Sequence, residues 1–148
     1  MLEPAAWAAL LDVIRRFEGC RLEAYLCPAG VWTIGWGHTG PEVRQGLRWA
    51  QERADAQLEA DALAFVRTAA SASPGLLARP FAHAAVADFC FNLGAGRYRA
   101  STLRRRVNDG DWAGARTELG KWVWGGGRRL PGLVLRRQVE SQLLGVEP

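Results

Sequence analysis

The hydrophobic period of this chain changes at Gly19, and that change constrains the possible folds more than any other feature. Before it, apolar residues recur at three- and four-residue intervals, which is the spacing of a helix with one buried face. Pro4 suits the first turn, and two arginines just before the glycine are typical of a helix C-terminus. The pattern therefore predicts a helix over 4–18 that ends on Glu18.

The segment after Gly19 is rich in β-forming residues. Two short stretches, 22–26 and 31–36, flank a Pro-Ala-Gly turn, which predicts an antiparallel hairpin. Three glycines and a proline over 35–41 then interrupt the strand pattern. We therefore expect a sheet of only two or three strands.

A helical period returns after residue 50 and holds for the rest of the chain, with breaks at glycine, proline and serine. Ser101 and Asp111 suit the N-caps of two of the later helices. We expect one α+β domain over 1–148, with a cleft between two lobes, and clefts of this kind favour polymer substrates. Its parts are a sheet lobe over about 20–50, a linking helix over about 51–71, and a helical lobe over about 76–148 that includes the helix over 4–18.

Positive charge is concentrated in the last third of the chain. Residues 1–96 contain eight arginines and ten acidic residues, whereas residues 97–148 contain ten arginines, one lysine and five acidic residues. This imbalance favours a polyanionic partner such as nucleic acid, anionic lipid or the carboxylate-rich bacterial wall. The run Arg104, Arg105, Arg106 keeps an RNA-binding module open, although such a run is more often a solvated helix face.

The sequence supports neither a metal site nor a membrane-spanning segment. Cys20, Cys27 and Cys90 follow none of the common zinc spacings, so we expect no metal site. The chain has neither a long apolar run nor a recognisable signal peptide, so we expect no membrane span.

The most specific pattern links Glu18, Cys27 and Thr33, with eight residues between the first two and five between the last two. This spacing resembles that of phage-type lysozymes, glycoside hydrolase family 24, which place a glutamate, an aspartate or cysteine, and a threonine in this order. The resemblance implies a lysozyme-like form of the α+β fold. Further similarity lies in 88–94, 101–103 and 125–133, so the resemblance spans nearly the whole chain.

The resemblance implies that Glu18 is the general acid of a glycosidase. Glycoside hydrolysis needs one group that protonates the leaving oxygen and a second that stabilises or attacks the anomeric carbon. The negative end of the helix dipole and partial burial favour a neutral Glu18 carboxyl, whereas Arg15 and Arg21 oppose this. Without the motif, an ion pair at the surface is the ordinary interpretation of such a glutamate.

The resemblance gives the second role to Cys27, where many family members carry aspartate. The thiol or thiolate would activate the attacking water, whereas thiolate attack on carbon would give a covalent intermediate and retained stereochemistry. We favour water activation, with Thr33 holding the water. Without the motif, Cys27 is a small apolar turn residue and Thr33 an ordinary strand former.

Other residues are assigned partly by resemblance and partly by chemistry. By resemblance, Phe91, Asn92 and Ser101 bind the glycan, although Phe91 also suits ordinary helix packing. His38 is interpreted as a turn-locking residue rather than a catalytic base, because glycines flank it and both ring nitrogens can bond. His83 is expected to be an exposed helix residue.

Cys20 and Cys27 are candidates for a regulatory disulfide. They lie seven residues apart, and the family includes members that are exported in an inactive, disulfide-held form. Oxidation would mask the catalytic thiol, so a redox switch is our hypothesis for this pair.

The expected function is hydrolysis of the β-1,4 bond between N-acetylmuramic acid and N-acetylglucosamine in bacterial peptidoglycan, without a metal or organic cofactor. As a bacteriolytic phage endolysin, the protein would be made in the host cytoplasm and act as a monomer on the periplasmic cell wall, by an export route not visible in the chain. Peptidoglycan, rather than nucleic acid, is the expected partner. A lytic transglycosylase, a non-catalytic wall-binding module and a nucleic-acid binder remain alternatives.

Overall fold

Seven helices and five short strands build the protein, and the computed structural model describes all residues from Met1 to Pro148. The helices are α1 (Pro4–Glu18), α2 (Gln51–Ala72), α3 (Pro80–Leu93), α4 (Ala95–Ala100), α5 (Thr102–Asn108), α6 (Trp112–Leu119) and α7 (Pro131–Leu144). The strands are β1 (Arg21–Leu26), β2 (Trp32–Gly35), β3 (His38–Thr39), β4 (Trp124–Gly125) and β5 (Arg128–Arg129). A short 3₁₀ helix, Pro74–Ala78, connects α2 to α3.

Helix α1 has the predicted bounds. Pro4 occupies its first turn, and the chain leaves the helix because Gly19 adopts a φ of 65°, a conformation that costs glycine little. The Gly19 amide donates to the Arg15 carbonyl at 3.2 Å. This cap fixes Glu18 as the last helical residue.

The sheet lobe is a three-stranded antiparallel sheet in the order β1-β2-β3, which confirms the expected size. Tyr25 on β1 lies opposite Thr33 on β2. The register between β1 and β2 shifts between Arg21 and Tyr25, as at a β-bulge. The sheet thus places the turn after β1 and the start of β2 side by side.

The C-terminal half differs from the expected all-helical structure. Helix α6 ends at Leu119, and β4 and β5 form a small hairpin before α7. Gly126 and Gly127 make its turn with φ values of 58° and 79°. The expected run of helices missed this hairpin, because two-residue strands leave almost no periodic signal.

Helix α3 lies at the centre of the helical lobe. It packs against α1, α2 and α7, and every residue from Ala82 to Cys90 is buried. A helix that is buried all round belongs to the core rather than to the surface. Among the helices, none is both long enough and apolar enough to cross a bilayer.

Candidate active site

Glu18 lies at the C-terminal end of α1 with its carboxylate facing α7. Its Oε1 accepts a hydrogen bond from Arg136 Nη1 at 2.7 Å, and the side chain keeps 23% of its surface exposed. The arginines expected to pair with it lie elsewhere: Arg15 is 4.0 Å from Asp12, and the Arg21 guanidinium stacks 4.3 Å from the Tyr25 ring. Glu18 therefore forms its ion pair with a residue of the last helix, α7, and not with an arginine close to it in sequence.

Arg136 connects Glu18 to the buried Asp88 on α3. Its Nε and Nη2 donate to the two Asp88 oxygens at 2.9 and 2.7 Å, and both side chains are almost fully buried. Although burial disfavours the charged form, the hydrogen bonds and negative charges of Asp88 and Glu18 raise the pKa of Arg136. This fork orients the guanidinium so that its remaining terminal nitrogen reaches Glu18.

A second buried arginine extends the network. Arg137 donates through Nη2 to Asn92 Oδ1 at 2.7 Å and to Glu140 Oε1 at 2.8 Å. Burial, with the nearby charge of Asp88, raises the pKa of Glu140 well above its ordinary value. The sequence analysis missed this network. Without tertiary contacts, buried and paired arginines on a helix cannot be distinguished from solvent-exposed ones.

A groove of about 430 Å³ opens beside Glu18. The ends of α1 and α3 and the start of α7 form its walls, with Phe17, Asn92 and Arg136 among the lining residues. A larger cavity of about 570 Å³ lies between the start of α1 and α2, but its lining is mainly apolar. The groove beside Glu18 combines acidic, basic and amide side chains, and it is the better candidate for polar chemistry.

Gly37 allows the sheet lobe to approach Glu18 closely. Its φ is +84°, and a Cβ at this position would stand 2.8 Å from Glu18 Oε2. Real Cβ atoms essentially never come so close to another heavy atom. The turn before β3 therefore forms one side of the pocket that holds the carboxylate.

Cys27 and Thr33 lie together where the hairpin turns. The Thr33 hydroxyl donates to the Val31 carbonyl at 3.0 Å. Hydrogen bonds from the Val31, Ala29 and Gly30 backbone and from Thr33 lower the pKa of Cys27 despite slight desolvation. Neither residue lines the 430 Å³ groove.

The phenol of Tyr25 is affected by both Glu18 and Cys27, two residues of the predicted motif. Burial is the main cause that raises the pKa of its phenol, and the negative charge of Glu18 adds to it. The charge of Cys27 acts on the same phenol in the same direction. Tyr25 is thus a shared neighbour of Glu18 and Cys27.

The predicted disulfide is not formed in this structure, where all three cysteines are free. Cys20 and Cys27 lie at opposite ends of β1, whose six residues separate them. An extended strand of that length spans roughly 20 Å, whereas a disulfide requires Cα atoms within about 7 Å. The pair can bond only if β1 is rearranged.

The predicted glycan-binding residues do not all lie at the groove. Asn92 lines it, whereas Phe91 does not: its ring packs against the hydrophobic core, 5.5 Å from the Phe65 ring. Ser101 does not: it is buried, its hydroxyl donates to the Tyr98 carbonyl at 2.7 Å, and it accepts from the Arg104 amide as the N-cap of α5. Because these bonds occupy the hydroxyl, the structure gives Ser101 a capping role instead.

The predictions for the two histidines, His38 and His83, had different outcomes. The ring of His38 is held between Asp61 and Glu42 at 2.7 Å on each side, so both ring nitrogens have partners, as the structural interpretation expects. The expectation for His83 was wrong, because the residue is only 3% exposed and its Nε2 lies 2.8 Å from the Val66 carbonyl. Position on the central helix α3, which a local pattern does not reveal, explains the error.

Known proteins resemble this chain in both sequence and fold. An endolysin of Acyrthosiphon pisum secondary endosymbiont phage 1 is 39% identical over 137 residues, covering 90% of this chain and 92% of the relative. A SAR-endolysin of Bacteriophage PS119 is 34% identical over 128 residues, covering 85% and 75%.

Solved structures agree. The muramidase domain of SpmX from Asticaccaulis excentricus superposes with a TM-score of 0.83 at 31% identity, covering 99% of both chains. The active form of the P1 phage endolysin Lyz gives a TM-score of 0.79 at 31% identity, covering 92% of this chain and 82% of that one. Residues 15–140 match the sequence profile of the family described as phage lysozyme. The chain therefore belongs to the phage lysozyme family, glycoside hydrolase family 24.

Proposed function

We propose that this peptidoglycan-hydrolysing enzyme is a muramidase that cleaves the β-1,4 bond between N-acetylmuramic acid and N-acetylglucosamine, with Glu18 as the general acid. The observation that carries the proposal is a half-buried carboxyl at a groove, held at 2.7 Å by an arginine that is itself fixed by Asp88. A proton donor must be held near the leaving oxygen before its chemistry is useful. The fork on Asp88 supplies that positioning.

Arg136 holds the Glu18 carboxyl at the C-terminal end of α1, beside the groove. A glycan that fills the groove removes water from around this carboxyl. We propose that Glu18 then passes its proton to the leaving glycosidic oxygen, and that Arg136 keeps it in position for this step.

We propose that Cys27, with Thr33, activates the water that attacks the anomeric carbon. The hydrogen bonds at the hairpin turn favour its thiolate, which accepts a proton from water better than a thiol does. Asn92 and Phe91 would hold the glycan from the α3 side. Water activation predicts inversion at the anomeric carbon, whereas direct thiolate attack predicts retention.

The lowered pKa of Cys27 predicts selective alkylation. The thiolate is the reactive form, so iodoacetamide should modify Cys27 with half-maximal rate below pH 9.0, the ordinary value for the thiol. Cys90 should resist in the folded protein, since burial raises its pKa to about 12. Mass spectrometry of peptides after timed alkylation measures both rates. Equal rates for the two cysteines would contradict the prediction.

Gly37→Ala should reduce lysis strongly, because the new methyl would stand 2.8 Å from Glu18 Oε2 at a φ of +84°. We expect at least a tenfold fall in turbidity-clearing rate, since a small displacement of a positioned catalytic group costs about 10²-fold. Gly46→Ala is the matched control: its φ is also +84°, but nothing lies within 4 Å of its Cβ position. An equal loss of clearing rate in both variants would show that backbone strain alone causes the effect.

The reaction itself is tested on purified peptidoglycan. Hydrolysis adds one water to each product pair, whereas a lytic transglycosylase leaves an anhydro-sugar of lower mass. NMR of fresh products reports the anomeric configuration and so distinguishes water activation from covalent catalysis. Wall binding without any soluble product would support the non-catalytic module instead.

We further propose that the protein is a phage endolysin that acts as a monomer on the periplasmic cell wall after synthesis in the host cytoplasm. Relatives whose names are endolysin and SAR-endolysin support this role. Sedimentation measurements test the monomer, and fractionation of expressing cells tests the site of action.

A further inference from the structure

A second polar cavity lies apart from the groove beside Glu18. It has a volume of about 450 Å³ and opens between α6, the β4–β5 hairpin and α7. No residue lines both concavities, and the buried Arg137 side chain stands between them. The cavity is therefore separate from the candidate active site.

The lining of this cavity carries positive charge only. Three arginines line it, Arg116, Arg129 and Arg137, and no acidic residue does. Neither Arg116 nor Arg129 takes part in an ion pair, so at least two of the three positive charges have no carboxylate that offsets them. Uncompensated charges of one sign around one concavity attract a ligand of the opposite sign. The cavity is thus suited to an anion.

Arg137 has a buried donor without a partner at this cavity. Its side chain is 1% exposed, and its Nη2 donates to Asn92 and Glu140. Its Nη1 is also buried, but no group of the protein accepts a hydrogen bond from it. Buried donors in folded proteins nearly always have an acceptor, so this nitrogen indicates an acceptor that a ligand supplies.

The protein holds two of the three guanidinium groups in place. Arg116 Nε donates to the Ser141 hydroxyl at 3.1 Å, and the Arg137 guanidinium lies 5.1 Å from the centre of the Phe89 ring. A guanidinium that is already held loses less side-chain entropy when it binds a ligand. These two arginines therefore differ from mobile arginines on an open surface.

The charge of the cavity favours a phosphate group over a carboxylate. A phosphate monoester carries about −1.5 to −2 charge at pH 7 and has three strongly accepting oxygens. A carboxylate carries a single negative charge on two oxygens. Two or more unpaired guanidinium charges are balanced by the first group but not by the second. The planar fork of arginine also matches the geometry of phosphate.

We infer that this cavity is a phosphate-binding site formed by Arg116, Arg129 and Arg137. The amide groups of Gln138 and Gln142, which also line the cavity, can donate to the remaining phosphate oxygens. The same chemistry recognises inorganic phosphate and the phosphomonoester headgroup of a lipid. The volume falls within the range of ordinary small-ligand sites and accommodates either.

The first test measures the binding of inorganic phosphate to the wild-type protein by isothermal titration calorimetry at constant ionic strength. At about 100 times its Kd, phosphate should raise Tm by at least about 5 °C, because a ligand that binds only the folded state stabilises it. Sulfate, another tetrahedral dianion, should compete, whereas acetate should bind at least about tenfold more weakly. Absence of phosphate binding, or acetate binding as tight as that of phosphate, would overturn the assignment.

Vesicles distinguish the two sources of the phosphate group. The wild-type protein is mixed with phosphatidylcholine vesicles that contain or lack phosphatidic acid, and the vesicles are then pelleted. Pelleting only with phosphatidic acid, in competition with inorganic phosphate, would assign the site to a lipid headgroup. A protein that binds inorganic phosphate but stays in the supernatant would assign it to free phosphate.

Two neighbouring arginines localise the site. Arg129→Gln should weaken phosphate binding by about tenfold, the loss of one charge-assisted hydrogen bond, and Arg116→Gln should do the same. Arg128→Gln is the matched control, because Arg128 is also exposed on β5 but does not line the cavity, and successive strand residues point to opposite faces. Thermal unfolding without phosphate verifies that each variant is folded.

The control also decides against the inference if the site is absent. Equal weakening in Arg128→Gln and Arg129→Gln would show that phosphate responds only to the general positive charge of the surface, and would overturn the site. Phosphate binding is measured without peptidoglycan, so its outcome is independent of the proposed muramidase function. A protein that binds phosphate but leaves peptidoglycan intact would contradict that function alone.

Discussion

Glu18→Gln should reduce the lysis of chloroform-treated Gram-negative cells by at least 10²–10⁴-fold, the share that general acid catalysis commonly supplies. The amide cannot donate a proton of comparable acidity, but its oxygen still accepts from Arg136, so the local geometry is kept. Turbidity clearing measures the rate, and thermal unfolding monitors whether the fold is intact.

Glu23→Gln provides the matched control for this experiment. Glu23 is also close to the end of α1, but its side chain is 58% exposed and its contact with Arg48 is a long one of 3.3 Å. Surface pairs of this kind contribute at most about 1 kcal/mol. We expect this variant to clear cells at the wild-type rate, and retained lysis in Glu18→Gln would refute the mechanism.

Arg136→Met should lower the free energy of unfolding by about 3–5 kcal/mol, the usual result of removing one partner of a buried ion pair. The substitution keeps the approximate length of the side chain but leaves Asp88, which is fully buried, without its two hydrogen bonds. Denaturant unfolding followed by circular dichroism measures the change, with Arg105→Met as an exposed control on α5.

A double variant identifies the cause of this loss. Replacing Asp88 by leucine together with Arg136→Met removes both charges, so we expect part of the lost stability to return. A double variant less stable than the sum of the two single variants would show that packing, rather than the stranded charge, sets the effect. Activity should stay low in either case, because Glu18 loses the arginine that positions it.

The parts of the fold that could be predicted from the sequence are those fixed by local patterns. Pro4 and Gly19 set both ends of α1, and the Pro-Ala-Gly turn set the hairpin after it. The position of Glu18 at the end of a helix followed directly. The β4–β5 hairpin was missed because strands of only two residues have no period to detect.

The partners of the site could not be predicted, because they come from distant parts of the chain. Arg136 lies 118 residues after Glu18, and nothing in its own segment distinguishes it from the solvated arginines nearby. The error for His83 has the same origin, since burial on α3 is decided by the helices that surround it. For Ser101, the local capping pattern was the better guide, because the cap uses the hydroxyl that glycan binding would need.

The contact between α1 and α7 joins the first helix of the chain to the last. A ribosome therefore releases Glu18, Cys27 and Thr33 long before it releases the guanidinium that holds the carboxylate. During synthesis, the nascent chain carries the predicted motif residues before the Glu18–Arg136 ion pair can form. In the proposed mechanism, the general acid is therefore positioned only after the final helix has docked.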